Sequence, residues 1–377
     1  MTDKKHATAE IGRAESRWAR VGPYYAMFPM NYVEGIIREY SNPGDAVLDP
    51  FAGRFSVPAV ASYMGRVGCG IEINPLGWLY GKVKLAPAQR RGDVLNRLQD
   101  MHDASEDYKS EAAGMDGFFR MCYCTDVLRF LLACRNLLNW EKSVVDATLM
   151  AAIMVVLHHG VGRGLSNQMR QPKAMAPHYS VNWWKSRGME EPPQVDVVKF
   201  LSDRINYRYE RGVFRYDKSK ALLGDSCTIL ASAKMEKWQK TTHGGVKLLF
   251  TSPPYWSLVN YFKDQWLRLW MLGGNPSPAV RSHAYQKGFY SKDEYRHLIE
   301  TVFERCAQMM HKDGIVVVRM DARSFTRQTV LDALHKSFPG HKKVRRIAVT
   351  KGQTQTRLFN NVNSENVGER DIVLVPA

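Results

Sequence analysis

Apolar and polar positions along this chain follow two rhythms, and the switches between them mark its elements. Tyr32 to Tyr40 has apolar residues at helical spacing, Asn42-Pro43-Gly44-Asp45 is turn chemistry, and Ala46-Val47-Leu48 is a short apolar run that stops at Asp49. The pattern predicts helix, turn and buried strand in that order. Ser56 to Met64 reads as a helix that Ser56 would cap. Val67 to Ile71 reads as a second strand ending at Glu72, and Asn74-Pro75 starts another helix, proline being tolerated in a first turn. Strand, loop, helix, then a strand with an acid at its end is half of a doubly wound nucleotide-binding sheet.

The texture changes from about 85 to 220. Helical periodicity runs through Asp126 to Trp140 and Ser143 to His158, and an irregular basic and aromatic stretch follows from Gly160 to Pro193. Strand patterns return at Ala221-Leu222-Leu223, Val246 to Phe250 and Ile315 to Val318, with helical periods over Tyr261 to Leu272 and Tyr295 to Met310. Two β-like runs near the end, Val344 to Thr350 and Asp371 to Val375, predict an antiparallel hairpin at the sheet edge. The expected fold class is α/β: a Rossmann-like doubly wound sheet with an antiparallel edge hairpin and a mainly helical insertion. The expected organisation is a flexible start over 1–20, a sheet domain from 21–84 and 221–377, and an insertion over 85–220.

With 45% hydrophobic and 24% charged residues, the chain has the balance of a folded soluble protein, and 377 residues can bury a substantial core. Lys and Arg number 53 against 37 Asp and Glu, a formal charge of +16, which points to an anionic partner. None of the six cysteines forms a C-x-x-C pair, and Cys122-x-Cys124 is too tight for zinc, so reduced thiols and no structural metal are expected. His158-His159 has no further ligands at metal spacing and reads as a helix terminus. Met1 to Arg20 lacks the apolar stretch of a signal peptide and no long apolar span follows, so a cytoplasmic protein without membrane contact is expected.

The strongest candidate chemistry lies in Leu248-Leu249-Phe250-Thr251-Ser252-Pro253-Pro254-Tyr255-Trp256, an apolar strand that feeds a rigid turn and then two aromatics. A loop leaving the carboxyl end of a strand in a doubly wound sheet faces the ligand crevice. The prolines remove backbone donors and fix φ, so carbonyls near Ser252 and Pro253 can serve as preset acceptors. Such acceptors suit an exocyclic amino nitrogen, whose delocalised lone pair must be freed as it attacks an electrophile. Tyr255 would stack on a base swung out of the helix. An ordinary surface turn, like Pro192-Pro193, is the alternative.

These residues resemble motif IV of the amino-group DNA methyltransferases, in the S-P-P-Y form associated mainly with N4-cytosine enzymes. Val47-Leu48-Asp49-Pro50-Phe51-Ala52-Gly53 is similar to the motif I loop that wraps S-adenosylmethionine (SAM), Gly70-Ile71-Glu72-Ile73-Asn74-Pro75 to motif II, and Leu223-Gly224-Asp225-Ser226 to motif III. Tyr24 to Met30, including Phe28, resembles a loose motif X, and Asn260-Tyr261 with Asp264 to Trp270 resembles the helix after motif IV. The resemblance implies catalysis at Ser252, Pro253, Pro254 and Tyr255. It implies a SAM site at Phe28, Asp49, Pro50, Phe51, Ala52, Gly53, Glu72, Ile73, Asp225 and Ser226. No cysteine follows a proline, so the Pro-Cys nucleophile of C5-cytosine enzymes is missing and direct attack without a covalent enzyme intermediate is expected.

Family members usually continue motif I as G-S-G-T, whereas Gly53 is followed by Arg54-Phe55-Ser56. Replacing a glycine by a bulky ring predicts a cofactor loop of altered shape. The motif order puts the insertion where the family resemblance implies target recognition. There Arg163, Arg170, Lys173, Tyr179, Trp183 and Lys185, together with Trp256, are candidate nucleic-acid contacts. The tryptophans of the insertion either stack on bases or pack it onto the core. The implied partner is double-stranded DNA with a flipped base, with a cognate restriction endonuclease as a further possible partner. N6-adenine methylation, RNA base methylation and non-catalytic nucleic-acid binding are the competing readings.

Overall fold

The computed structural model describes residues 12–23, 28–256, 261–278, 291–348 and 369–377. Seven strands form one sheet: β1 (Ala46–Asp49), β2 (Val67–Glu72), β3 (Lys220–Leu223), β4 (Val246–Thr251), β5 (Met310–Asp321), β6 (His341–Ala348) and β7 (Glu369–Pro376). Their spatial order is β3-β2-β1-β4-β5-β7-β6. The first five are mutually parallel, and β7 runs antiparallel to both β5 and β6. The chain leaves β1 toward β2 on one side, and β4 flanks it on the other. Between β1 and β4 the order reverses, the switch point where a crevice opens at the carboxyl ends. The expected doubly wound sheet with an antiparallel edge hairpin is the fold.

Alternation along the strands explains the two covering layers. Val47, Leu248, Phe250, Val317 and Val373 pack with Val33, Ile36, Ile37, Val57 and Val60 of helices Met30–Tyr40 and Ser56–Tyr63. Their neighbours Leu48, Leu249, Val316, Val318 and Ile372 face the opposite layer, where Ile299, Val302, Phe303 and Val330 lie. Both faces are covered, so the strands are apolar at consecutive positions.

Residues 85–220 do not form a core of their own. Their helices, among them Thr125–Leu137 and Val144–Val156, share one hydrophobic cluster with helix Pro75–Leu85 and with Trp266–Met271. Arg268, fully buried, ties these parts together: Nε donates to the Met154 carbonyl at 2.9 Å and Nη2 to that of Gln171 at 2.8 Å.

Several local expectations are corrected. Ser56 is the first residue of its helix and not its cap; the cap position is Phe55, and the Ser56 hydroxyl accepts from Arg54 Nε at 3.1 Å. The stretch from Gly160 to Pro193 contains a helix, Pro177–Lys185, with proline in its first turn. The helical period over Tyr261 to Leu272 divides into Tyr261–Asp264 and Trp266–Met271. Helix Ser324–Ser337 was not anticipated. Asn74 caps helix Pro75–Leu85 as its position suggests, its side chain accepting from the Leu76 amide. Among the described residues no helix is long and apolar enough to cross a membrane.

Candidate active site

Because β2, β1 and β4 are adjacent and parallel, the ends of all three lie on one edge of the sheet. Asp49 ends β1, Glu72 ends β2 and Thr251 ends β4. The Thr251 hydroxyl donates to Asp49 Oδ1 at 2.6 Å, and the Phe51 amide donates to the same oxygen at 3.1 Å. Asp49 is 2% exposed, and burial pushes its carboxyl up to about 7 against the hydrogen bonds that favour the charge.

Glu72 closes the loop from the other side. Its Oε2 accepts from the Gly53 amide at 2.7 Å and its Oε1 from the Asn74 amide at 2.8 Å. Glu72 keeps part of its surface open, yet its carboxyl is enclosed enough for desolvation to raise it to about 7. The helix that follows approaches closely because Gly77 has no side chain: a Cβ there would sit 2.3 Å from the Gly53 carbonyl and 2.9 Å from Glu72 Cγ. Asp225 ends the turn after β3 and accepts from the Cys227 amide at 2.9 Å, while Ser226, buried, donates its hydroxyl to the Pro50 carbonyl. Ala52 is buried, and Phe51 and Ile73 are half-buried around the same loop.

The Arg54-Phe55 step takes a form that the sequence did not suggest. Phe55 adopts a left-handed conformation (φ 63°), and its ring is fully buried beneath the loop, not projecting into the crevice. Its slot exists because Gly70 and Gly81 lack side chains; a Cβ at either would lie within 2.6 Å of the ring. Arg54 is buried too, donating to Ser56 and to the Gly22 carbonyl at 3.2 Å, and its own carbonyl receives the ammonium of the buried Lys84 at 2.5 Å. The departure from G-S-G-T is a braced variant of the loop.

In the turn after β4, Ser252 is partly exposed and Pro253 buried. The Tyr295 hydroxyl donates to the Pro254 carbonyl at 2.9 Å, whereas no described hydrogen bond ends on the carbonyls of Ser252 or Pro253. Tyr255 is 7% exposed; its hydroxyl donates to Glu369 Oε1 at 2.9 Å and lies 3.4 Å from the Ser252 hydroxyl. Trp256, expected among the nucleic-acid contacts, is half-buried against Tyr295 and Phe325, and its carbonyl accepts from Arg323 at 2.6 Å. Phe28 stacks near Phe250 at 5.1 Å and Tyr32 at 5.7 Å, on the layer that holds helix Met30–Tyr40. Tyr24 to Met27 and Asn260 lie outside the described residues.

The insertion contacts helices Tyr261–Asp264 and Trp266–Met271 through a short segment. The Ala174 amide donates to the Asp264 carbonyl at 2.9 Å, the Trp266 indole donates to the Met175 carbonyl at 3.1 Å, and Lys173 pairs with Asp264 at 2.6 Å. These are the helices that follow the 252–255 turn. Beyond that segment, helix Pro177–Lys185 presents Tyr179, 58% exposed, and half-buried Trp183 with the Arg187 guanidinium 4.0 Å above its ring. Trp184 is fully buried, its indole donating to the Gln168 carbonyl at 2.7 Å, and Trp183 packs partly buried against the same hydrophobic cluster. Arg163, Arg170 and Lys185 are exposed.

Sequence reasoning missed Thr251 as a site residue, although it stood in the motif. It also missed Arg319, Glu369 and Asp371. Their signal was legible: an arginine in an apolar strand, Val316 to Met320, and two acids at alternate positions before Val373 demand partners when buried.

Comparison with known proteins agrees with the motif resemblance over the amino-terminal part. Residues 3–76 match the N6/N4 methyltransferase family, described as DNA methylase. DNA adenine methyltransferase YhdJ of Escherichia coli (strain K12) is 56% identical over 46 residues, covering 12% of this chain and 16% of its own length. The type II methyltransferase M.Cfr9I of Citrobacter freundii is 41% identical over 54 residues, 14% of this chain and 18% of its own. The chain therefore spans less than a fifth of the length of these curated relatives. Among solved structures, TrmN from Thermus thermophilus superposes with a TM-score of 0.34 at 10% identity, covering 97% of this chain and 53% of that one. The rRNA methyltransferase aviRa from Streptomyces viridochromogenes gives 0.35 at 9% identity, covering 98% and 96%.

Proposed function

We propose that this chain methylates the exocyclic amino group of a base in DNA, using SAM, with N4 of cytosine as the target. The observation that carries the reading is the hydrogen bond from Thr251 to Asp49, which joins the 252–255 turn to the loop over 49–53 across the switch point. A second reading, N6 of adenine, is favoured by the relative named as a DNA adenine methyltransferase.

The residues present fit the cofactor. Glu72 and Asp49 offer carboxyls at two strand ends, both hydrogen bonds to Asp49 fall on Oδ1 and leave Oδ2, and the missing side chain of Gly77 lets the helix close on the loop. Glu72, with the turn at Asp225, would hold ribose hydroxyls and adenine, and the 49–53 loop would hold the methionine part. SAM bound there supplies an electrophilic methyl group on a sulfonium. The Ser252 and Pro253 carbonyls, free of described hydrogen bonds, would accept the amino protons of the base and favour its pyramidal form. The Pro254 carbonyl is held by Tyr295, which fixes the turn. Tyr255, 7% exposed, would border the extruded base. Arg163, Arg170, Tyr179 and Trp183 would contact the duplex, since the segment at 173–175 docks the insertion onto helices Tyr261–Asp264 and Trp266–Met271.

The test is nucleoside mass spectrometry on DNA from cells that lack both modifications and express the protein or its Asp49→Ala variant. N4-methylcytosine in the first sample and none in the second is expected. N6-methyladenine instead would select the second reading, and absence of both would overturn the proposal.

A further inference from the structure

We propose that Glu369 is a positioning residue for this site: its carboxylate sets the Tyr255 ring through the tyrosine hydroxyl, so strand β7, held between β5 and β6, governs turnover. This rests on the reading of 252–255 as the turn that receives the target base.

The register places Glu369 opposite Asp321, at the carboxyl end of β5 and hence on the crevice edge, although 114 residues separate it from Tyr255. Glu369 is 7% exposed, and its Oε1 receives the Tyr255 hydroxyl at 2.9 Å. Its other oxygen, Oε2, is buried and makes no hydrogen bond among the described residues. A buried carboxyl is costly, so the group it serves matters.

Arg319 is the obvious bland partner, and the geometry makes it a poor one. Asp371 already takes Nε at 2.7 Å and Nη2 at 2.9 Å in a bidentate pair, while Glu369 Oε2 stays 3.8 Å from Nη1. Tyr32 completes that unit: its hydroxyl donates to Asp371 Oδ2 at 2.7 Å and its ring lies 4.0 Å from the guanidinium. Arg319 and Asp371 thus form a rigid block behind Glu369, which gives it a favourable charge without claiming a hydrogen bond. The hydrogen bond Glu369 makes goes to the tyrosine of the turn. A ring that tilts about its Cα–Cβ bond would misplace the base by a fraction of an ångström, enough to lower the rate of the chemical step.

The experiment compares the full chain with Glu369→Gln, Glu369→Ala, Tyr255→Phe and the double variant Glu369→Ala/Tyr255→Phe. Steady-state methyl transfer to duplex DNA is measured alongside fluorine NMR of fluorotyrosine-labelled protein. Glutamine keeps an acceptor for the hydroxyl, so E369Q should stay within about threefold of the parent kcat. E369A and Y255F should each lower kcat about tenfold, with KM for SAM within about twofold, and the double variant should match the singles. The Tyr255 resonance, identified by its loss in Y255F, should be single in the parent and in E369Q and broadened or split in E369A. Parental kcat and spectrum in E369A, or losses that multiply in the double variant, would overturn the inference. A parent that transfers no methyl while its Tyr255 resonance behaves as stated would defeat the functional reading and leave the role of Glu369 in holding the ring intact.

Discussion

Asp49 and Glu72 are two carboxyls in one crevice, and burial pushes both up to about 7. In the unfolded chain they would ionise near 4. Between pH 4 and 7 the unfolded chain therefore releases protons that the folded one retains, and the contribution of this pair to stability falls as pH rises through that window. A ligand that uses the ionised carboxyls follows the opposite sign. SAM affinity should rise from pH 6 to pH 8, by up to about tenfold for each carboxyl, while the thermal midpoint declines. Asp49→Asn should lose part of both slopes. Titration calorimetry and melting curves at the two pH values check this, and equal affinity at both would contradict the assignment of these acids to the cofactor.

Among elements, the loop from Asp49 to Phe55 depends on the strand and helix beneath it. A left-handed phenylalanine costs about 1–2 kcal/mol, which the ring recovers by filling the slot between Gly70 and Gly81. Gly81→Ala would bring a methyl group to 2.3 Å from that ring. It should destabilise the protein by about 1–3 kcal/mol, and Phe55→Leu in the same chain should recover part of the loss. Denaturant unfolding of the two single variants and the double variant measures the coupling, and additive effects would refute the slot. The motif strings gave the position of this loop, but not its shape. The glycines that accommodate Phe55 are 15 and more residues away; the pairing of β2 with β1 brings Gly70 under it, and the packing of helix Pro75–Leu85 brings Gly81.

For the whole molecule, the charge of +16 gains meaning from where the cations are. Several are structural: Arg268, Lys84 and Arg54 are buried on carbonyls, and Lys173 is spent on Asp264. Arg163 and Arg170 are exposed with no described ion pair. The affinity for duplex DNA should fall linearly with the logarithm of salt, and Arg163→Gln and Arg170→Gln should each lower the slope by about 0.9. Lys173→Gln should change it less, because its charge is already neutralised in the free protein. Equilibrium binding across a salt series checks the ranking, and an unchanged slope in the Arg163 and Arg170 variants would argue against this face as the nucleic-acid interface.

By itself the sequence determined the strand and helix rhythm of the sheet and the acids that end β1 and β2. It also determined the rigid turn after β4, because each is written in neighbouring residues through periodicity, turn chemistry and proline geometry. It placed the hairpin as well, since both runs are rich in β-branched and apolar residues. The tertiary structure alone decided which tryptophan of helix Pro177–Lys185 is fully buried, that the insertion shares its core with Pro75–Leu85 and Trp266–Met271, and that Glu369 meets Tyr255. Those are pairings between segments far apart in the chain, set by strand order and register. A local pattern fixes which face a side chain takes, but it cannot name the partner waiting there.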